Sequence, residues 1–445
     1  MGRFKHIFVN IFIIGCVFSL AGLVACDSEK VNYSGLFGVV DLHGDWVVEP
    51  SFLSMPTIEY ETTGLFPAAS APITWGFVDI SGNWVIDAQY RKVNNFTEYG
   101  YARIWERNIE TEDELAGLID KKGNLLIEPL YGDIKQTPID YLIAQDFETK
   151  DYGILSLDGD WAVKPNYLDI YTYCSSVDLF IAQDKTNEKF GCIDIEGEWL
   201  INPLFDSISE FDDSGIAIAV DPESGLEGYI DSSGAWIIEP RFYGLSIFDG
   251  KDRARATDPD SGLKGLIDAQ GNWIIEPRFI NLGEFDEQNR AIATDPDSGL
   301  EGLVDAQGDW IIEPRFEEMN GFDDKGRACA TDSDSGLQGY IDISGKWIID
   351  PQFKTIGRFG DRGLAYCYDA QSGLVGYIDE VGEWVIEPQF EAAGTFNGSR
   401  GVALVTEKDT GLRGYIDTEG EWVFEPQFRM AYSFSSDGYA VVQVE

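Results

Sequence analysis

Histidine is nearly absent from this chain of 445 residues, which contains only His6 and His43. His43 lies in the segment DLHGD, a pattern that predicts a solvated hairpin turn. A histidine-rich zinc site is therefore excluded, and serine or cysteine catalysis through histidine would depend on His43 alone. The chain has neither a Walker-type phosphate loop nor a dinucleotide-binding glycine motif. No cofactor is expected.

Basic residues are scarce as well. The chain has 32 lysines and arginines against 78 aspartates and glutamates, a net charge of −46 that is spread along the whole sequence. Nucleic acid is not an expected partner, because its binding needs a basic surface. Aromatic residues make up 13% of the chain, which is enough to build a large core despite the charge.

Long apolar runs are confined to the N-terminus, which has Arg3 and Lys5, then a mainly apolar stretch, and no acidic residue before Cys26. This pattern predicts a secretory signal peptide over residues 1–25. Its end, LVAC, resembles a bacterial lipobox, in which Cys26 is lipidated; an uncleaved membrane anchor is the alternative. Residues 26–34 are predicted to be a tether. The protein is expected to be extracytoplasmic, in the bacterial cell envelope, and lipid-anchored to the membrane.

One motif, in contrast, occurs many times. DWIIEPRF at residues 309–316 follows NWIIEPRF at residues 272–279 by 37 residues. A motif that recurs at a fixed interval indicates the building unit of a fold rather than a catalytic site. Its tryptophan recurs at steps of 36 to 41 residues, with Leu125 in one place, so eleven units fill nearly the whole chain. The tryptophans are Trp46, Trp84, Trp161, Trp199, Trp236, Trp273, Trp310, Trp347, Trp384 and Trp422.

Other recurring positions predict short strands joined by turns. Asp305 and Gly308 carry a type I turn signature between two apolar runs, which are predicted to be strands. Pro314 is predicted to end or edge its strand, because proline cannot donate to a ladder. Trp310 and its equivalents are predicted to be core residues, packed between units with the aromatic ring of Phe316.

These patterns predict an all-β fold, a tandem array of about eleven 37-residue antiparallel multi-stranded units, either propeller-like or an open β superhelix. The chain begins with a hairpin that has no preceding strand and ends with a strand, GYAVVQVE, that has no following hairpin. The two ends could complete one sheet and close a ring. Irregular spacing over residues 35–190 and regular spacing over residues 191–445 leave two smaller rings as an alternative.

Four cysteines lie within the repeats, and none of them forms a Cys-x-x-Cys pair. Cys192 and Cys329 replace ordinary strand residues of other units, which indicates small packing groups. Cys329 and Cys367 are 38 residues apart, one more than the usual repeat, so neighbouring units are expected to present them on opposite faces. A disulfide between Cys174 and Cys192 remains open.

Carboxylates also recur by position, and this pattern indicates architecture rather than a catalytic pair. One such set comprises Glu239, Glu276, Glu313, Asp350, Glu387 and Glu425. A second set lies in loops such as DPDSG, whose beginning is typical of a calcium loop. A hairpin turn explains these loops as well, because a third acid before the glycine and a closing glutamate are both missing. The calcium candidates are Asp258, Asp260, Asp295, Asp297, Asp332 and Asp334.

The repeat resembles that of the bacterial WG-repeat proteins. Its form is Gly-x-Ile-Asp-x-x-Gly-x-Trp-x-Ile-x-Pro-x-Phe, and the Trp-Gly pair that names the family stands at Trp75 and Gly76. Other units have Phe37, Tyr152 or Glu227 before that glycine. The resemblance covers about residues 35–445. It implies a binding or scaffold protein of the envelope more than an enzyme, and it supplies no catalytic residue.

The expected function is therefore a non-enzymatic binding or scaffold surface for a partner protein or envelope polymer. Repeat arrays offer long surfaces for extended partners, and an acidic array favours cationic ones. A calcium-dependent adhesion or assembly module that uses the aspartate-rich loops is one alternative. A glycan-processing enzyme is the second.

Overall fold

The computed structural model describes residues 35–55, 64–108, 112–396, 400–435 and 437–444. Within these residues the regular secondary structure is β-strand throughout, without a helix. The predicted signal peptide, Cys26 and the whole predicted tether lie outside them. We number the units 1 to 11 by the successive positions from Trp46 to Trp422, with Leu125 in unit 3. Each unit has three antiparallel strands, called A, B and C, and strand C starts at the tryptophan.

Strand A of a unit is short and apolar in alternate positions. The A strands of units 2 to 11, followed by that of unit 1, are β3 Phe66–Ala71, β7 Tyr101–Arg107, β10 Tyr141–Asp146, β13 Leu179–Asp184, β17 Ile216–Val220, β20 Arg253–Thr257, β24 Arg290–Thr294, β27 Arg327–Asp332, β30 Ala365–Asp369, β33 Ala403–Glu407 and β36 Tyr439–Val444.

Strand B contains the glycine of the Trp-Gly position. The B strands of units 1 to 11 are β1 Phe37–Asp41, β4 Thr74–Val78, β8 Glu114–Asp120, β11 Tyr152–Ser156, β14 Phe190–Ile193, β18 Glu227–Asp231, β21 Lys264–Asp268, β25 Glu301–Asp305, β28 Gln338–Asp342, β31 Val375–Ile378 and β34 Arg413–Ile416.

Strand C is the longest and, in three units, continues into a separate two-residue strand. The C strands of units 1 to 11 are β2 Trp46–Phe52, β5 Trp84–Tyr90, β9 Leu125–Gln136, β12 Trp161–Cys174, β15 Trp199–Phe205, β19 Trp236–Phe242, β22 Trp273–Phe279, β26 Trp310–Met319, β29 Trp347–Ile356, β32 Trp384–Ala393 and β35 Trp422–Ala431. The short strands are β6 Lys92–Val93, β16 Ser207–Ile208 and β23 Asn281–Leu282.

Strand C joins each unit to the next. Its first part pairs with strand B, as Val304 opposite Trp310 shows, and its end pairs with strand A of the following unit, as Met319 opposite Ala330 shows. The predicted hairpin turn between strands B and C is confirmed. The amide of Gly308 donates to the carbonyl of Asp305 at 2.9 Å, and the carboxylate of Asp305 accepts the amides of Gln307 and Asp309 at 2.9 Å.

The two ends of the chain meet in one sheet. β36 pairs with β1 along five residues, from Phe37 opposite Gln443 to Asp41 opposite Tyr439. The C-terminal strand is therefore strand A of unit 1, as the unmatched ends of the sequence suggested. The boundary at residue 190 is not a break between sheets, because β14 pairs with both β13 and β15.

Contacts between neighbouring units close the array into a ring. In each unit the glycine of the B–C turn lies against strand C of the unit before it, as Gly308 does on Ile275, and Gly44 of unit 1 lies on Phe424 of unit 11. All eleven junctions have this contact. The two-ring alternative is therefore wrong, and the units form one propeller-like ring of stacked sheets.

The tryptophans pack between units, but not with the partner predicted from the motif. Trp310 makes an edge-to-face contact with Phe279 of the preceding unit, with ring centroids 5.4 Å apart, and Phe316 makes the same contact with Trp347. The ten motif tryptophans are half-buried rather than fully enclosed. Each ring reaches backwards along the array because the turn before it lies on the preceding unit.

Pro314 lies inside its strand, so the prediction that it ends or edges the strand is wrong. The ladder between β25 and β26 is interrupted there, with residues 313–315 opposite the single residue Gly302. A proline is compatible with such a bulge, because its missing amide hydrogen is not required by the ladder. A Cβ atom on Gly302 would collide with the carbonyl of Ile312 and lie 3.0 Å from the Pro314 nitrogen, which explains the invariant glycine of the eleven units.

All four cysteines of the repeats are buried free thiols, including Cys174 and Cys192. Cys329 lies opposite Tyr340 and Cys367 opposite Gly376, so the offset of one residue does turn them to opposite faces of strand A. Nevertheless both side chains enter the same core cluster. The facing surfaces of two stacked sheets form one core, so thiols on opposite strand faces share it, and both of them are free.

Candidate functional site

The most extended polar feature is a strip along the exposed face of strand C. We call it the Ile–Glu strip, and it consists of the residues one and three positions after each tryptophan position. In unit 8 these are Ile311, which is 41% exposed, and Glu313. The exposed acids of the strip are Glu49, Asp87, Glu128, Glu239, Glu276, Glu313, Asp350, Glu387 and Glu425, and Lys164 and Asn202 occupy the two remaining places.

The aliphatic members of the strip are exposed too. Their exposed fractions lie between 38% and 58%, in a position next to the β-bulge of each strand C. These residues are Val85, Leu126, Leu200, Ile237, Ile274, Ile311, Ile348, Val385 and Val423. From unit 6 to unit 11 the strip is uninterrupted and offers one aliphatic and one acidic side chain per unit.

The acids of the strip differ from the structural carboxylates of the fold. Asp305 accepts two backbone amides, whereas Glu313 and the other strip acids have no hydrogen bond or ion pair within the described part of the chain. The sequence analysis interpreted these acids as part of the architecture. Within the described residues, however, their carboxylates make no contact that would stabilise the fold. Their recurrence therefore needs a reason other than the stability of the strand.

The aspartate-rich loops use their first aspartate internally. The carboxylate of Asp295 accepts the amide of Ser298 at 2.9 Å and its hydroxyl at 2.7 Å, and Asp258 and Asp332 make the same contacts with Ser261 and Ser335. The second aspartates, Asp260, Asp297 and Asp334, are exposed. In the described residues no three histidine, cysteine or acidic side chains are grouped to hold a metal ion. The loops thus have the geometry of hairpin turns.

His43 is an exposed turn residue whose amide donates to the carboxylate of Asp41 at 2.8 Å. Its Nδ1 is 3.7 Å from the same carboxylate. Its side chain has no other hydrogen bond or ion pair within the described residues, which is the arrangement that the sequence predicts for a solvated hairpin.

Two clefts occupy equivalent places between units. One lies between the end of strand C of unit 6 and that of unit 7, has a volume of about 200 Å³, and contains Arg253, Arg255 and Glu284. The other lies between the ends of strand C of units 2 and 3, has a volume of about 210 Å³, and contains Arg103 and Lys135.

Both clefts occur where an arginine replaces an aliphatic residue in the middle of strand A. Arg103 of unit 3 lies opposite Leu118, and Arg255 of unit 7 lies opposite Leu266. The same position holds Ile143, Ile181, Ile218, Ile292, Cys329, Tyr366, Leu404 and Val441 in other units. The replacement of an aliphatic residue by arginine is visible when the sequences of the units are aligned. Only the structure shows that a cleft lies beside each of these arginines.

The carboxylates of the unit 6–7 cleft are already paired. Asp249 binds Arg253 at 2.7 Å, and Glu284 lies 3.2 Å from Arg255. Burial opposes ionisation of Asp249, but hydrogen bonds from Arg253 and from the Lys251 amide hold its pKa below the usual value. A general acid of a glycosidase needs a raised pKa instead.

A further groove adjoins the cleft between units 2 and 3. It has a volume of about 480 Å³ and is lined by Pro67, Trp75 and the segment from Val93 to Thr97. Asn94, Asn95 and Thr97 line both cavities, so the two form one continuous depression over units 2 and 3. The sequence analysis noted Trp75 only as the namesake of the repeat.

Sequence analysis also missed a second aromatic set, which precedes strand A. Phe285 packs beneath the guanidinium of Arg253 at 4.8 Å, and Phe359 beneath that of Arg327 at 4.4 Å. The signal was present, because Phe211, Phe248, Phe285, Phe322, Phe359 and Phe396 follow one another at 37 residues. These rings support the loops between units and do not reach the Ile–Glu strip.

The fold and these surfaces define an all-β ring-forming repeat protein. The WG containing repeat model matches residues 75–104, 117–136, 190–220, 228–257, 265–294, 302–331, 339–366, 376–410 and 414–445. The matches together cover more than half of the chain, which therefore belongs to the WG containing repeat family.

Solved structures match this chain at low sequence identity and low TM-score. A crystal structure of a eukaryotic initiation factor is similar at 11% identity and a TM-score of 0.39, over 70% of this chain and 94% of that chain. A crystal structure of a nidogen/laminin complex is similar at 11% identity and a TM-score of 0.24, over 47% of this chain and 88% of that chain. No curated protein matches. In the described residues there is no helix long and apolar enough to cross a membrane.

Proposed function

We propose that this protein is a non-enzymatic scaffold of the bacterial cell envelope, anchored by a lipid on Cys26, whose Ile–Glu strip binds a cationic protein or envelope polymer. The observation that carries the proposal is the strip itself. Exposed acids without a protein partner recur beside exposed aliphatic side chains on one face of successive units.

The spacing of the strip suits an extended partner. Stacked sheets lie about 10 Å apart, so cationic groups along one partner chain can meet acids from several units. Each single exposed contact is weak, of the order of 1 kcal/mol or less, and the repeated units make such contacts additive. The aliphatic neighbours add apolar burial, which salt does not screen.

Two further observations support a scaffold rather than an enzyme. The carboxylates of the unit 6–7 cleft are neutralised by arginines. None of the three cavities described above is lined by a strip residue, and the strip acids recur instead of forming one singular site. A calcium-dependent module gains no support from the aspartate-rich loops, since their first carboxylates are engaged by serine.

The anchor would hold the ring at its closing unit. β1 starts at Phe37 and pairs with β36, so the tether leaves the ring at the seam between units 11 and 1. The nine residues from Cys26 to residue 34 span about 30 Å at most. The scaffold would therefore stay close to the membrane surface.

Two matched triple variants test the proposal. Glu276→Lys/Glu313→Lys/Asp350→Lys reverses three acids of the strip, and Asp260→Lys/Asp297→Lys/Asp334→Lys reverses three exposed acids of the loops. The mature protein is immobilised and exposed to the envelope fraction of its own host at low and moderate salt. We expect a partner that survives moderate salt, is lost with the strip variant and is kept with the loop variant.

If both variants lose partner binding equally, the interaction depends only on net charge, and the proposal is contradicted. Recovery of cationic proteins that moderate salt removes completely would contradict it too. The lipid anchor is tested separately with Cys26→Ala, which should abolish lipid labelling and release or misprocess the protein.

A further inference from the structure

We propose that the continuous depression over units 2 and 3 is a binding site for a neutral carbohydrate chain, with Trp75 as the stacking surface and Asn94, Asn95 and Gln136 as hydrogen-bonding groups. This site is separate from the Ile–Glu strip, so either proposal can fail without the other.

The first argument is the shape of the depression. The groove of about 480 Å³ and the cleft of about 210 Å³ share the wall that is formed by Asn94, Asn95 and Thr97. Together they run from Trp75 of unit 2 to Gln136 at the end of strand C of unit 3. Volumes of this order suit a ligand of several rings.

The second argument is the set of polar groups that have no partner. Within the described residues, the side-chain amides of Asn94, Asn95 and Gln136 have no hydrogen bond to the protein, and two of them are exposed. Each amide offers two N–H donors and a carbonyl acceptor. A sugar hydroxyl both donates and accepts, so it can use both ends of an amide.

The third argument is Trp75, one of only two tryptophans outside the motif position. It is half-buried at the wall of the groove beside Pro67. In units 6, 8 and 9 the side chain at this position, Glu227, Glu301 or Gln338, accepts an amide of the end of strand C at 2.6 to 3.0 Å. Trp75 cannot accept such a bond, and its ring instead offers an apolar face with a polar N–H edge.

The charges at the site favour a neutral ligand. Arg103 binds Asp133 at 2.7 Å and the carbonyl of Ile134 at 2.6 Å. Lys135 binds Asp169 at 2.7 Å and the carbonyl of Ile170 at 2.9 Å. Both cations are thus compensated, and a net charge of −46 repels an anionic polymer.

The equivalent surface of unit 7 lacks these features and supplies the controls. Lys264 occupies the place of Trp75 and binds Asn281 at 2.7 Å, and Glu284 occupies the place of Asn95. In unit 6 that second place is held by Ile247, which is 66% exposed. Truncation of Lys264 to alanine and introduction of aspartate at Ile247 therefore repeat the changes planned for Trp75 and Asn95, but at positions outside the proposed site.

The test is an array of neutral and anionic glycans probed with the full mature chain, followed by calorimetric titration of the neutral oligosaccharide that binds best. We expect Trp75→Ala to weaken that binding at least tenfold and Asn95→Asp to weaken it similarly, since the new carboxylate cannot donate to a hydroxyl. Lys264→Ala and Ile247→Asp should leave the affinity unchanged.

Asn95 is exposed, so Asn95→Asp keeps the test valid if Trp75→Ala fails to fold. The proposal is overturned if no neutral glycan on the array binds, if an anionic glycan binds more tightly than every neutral one, or if the two control variants weaken binding as much as the site variants do.

Discussion

The ring of Trp46 in the first unit meets the ring of Phe428 in the last unit edge to face, with centroids 6.5 Å apart and planes at 88°. The same edge-to-face relationship joins Trp310 to Phe279 inside the array, at 5.4 Å and 81°. The seam between the chain ends is therefore built like the other junctions. An array closed in this way has no terminal unit with an uncovered face.

We expect Phe428→Ala to destabilise the protein by about as much as Phe279→Ala, roughly 3–5 kcal/mol each. Phe428 is 1% exposed and Phe279 is 2% exposed, so each truncation leaves a comparable cavity. Urea unfolding of both variants measures the two losses. A much smaller loss for Phe428→Ala would mean that the last unit is an open end.

We expect Gly302→Ala to destabilise far more than Gly299→Ala in the same unit. A Cβ at residue 302 collides with the backbone carbonyl of Ile312 and with the indole ring of Trp310, and the carbonyl belongs to a paired strand that cannot move away. Gly299 has a φ of +72° but nothing within 4 Å, so alanine there costs only the backbone strain of about 1–2 kcal/mol. Thermal unfolding ranks the two variants, and equal losses would contradict this role of the Trp-Gly glycine.

Much of the fold could be predicted from the sequence, because strand alternation, turn signatures and the repeat length are local properties. The turn at Asp305 and the pairing of the two chain ends are examples. The partner of Trp310 could not be predicted in this way, since it depends on how one sheet lies on the next. Pro314 was misplaced because a bulge inside a strand and a strand end have the same local chemistry.

The candidate sites were less accessible to sequence reasoning. Glu313 and Asp305 both recur in the repeat, and only the structure shows that the carboxylate of Asp305 caps a turn, whereas that of Glu313 makes no hydrogen bond or ion pair within the described residues. The depression near Trp75 combines residues of neighbouring units. Its amides lie outside the repeated positions, so no pattern could single them out.

We expect the stability deficit of Asp295→Asn relative to the natural chain to depend on pH. Hydrogen bonds from the hydroxyl and the amide of Ser298 hold the pKa of Asp295 below its usual 3.8. A lowered folded-state pKa contributes stability above about pH 4, and this contribution is lost as the pH falls through the folded-state pKa. The deficit should therefore be present at pH 7 and shrink below pH 4.

Asp297→Asn serves as the control, because Asp297 is exposed and its carboxylate makes no hydrogen bond or ion pair within the described residues. It should cause no deficit at either pH. Equilibrium unfolding of the three proteins between pH 7 and pH 3 tests both statements, and a deficit for Asp295→Asn that stays constant over this range would contradict the assigned hydrogen bonds.

We expect the four thiols of the repeats to be inert in the folded protein. Burial raises the pKa of Cys192 and of Cys329 to about 12, and it raises the pKa of Cys174 and of Cys367 as well. Because the thiolate is the reactive species, a thiol reagent at pH 8 should label these positions only after denaturation. Rapid labelling of Cys329 or Cys367 under native conditions would show that the core between units 9 and 10 opens.

The closed ring is tested most directly by a cross-link between the chain ends. Val40 lies opposite Ala440 in the pairing of β1 with β36. Cross-strand neighbours have Cα atoms about 4.5–5.5 Å apart, within the range that a disulfide spans, whereas diagonal neighbours are about 7–8 Å apart and beyond it. We predict that Val40→Cys/Ala440→Cys forms an intramolecular disulfide in the monomer and that Val40→Cys/Val442→Cys does not, as peptide mass mapping would show. Failure of the first pair to form the bond, or its formation only between molecules, would contradict closure.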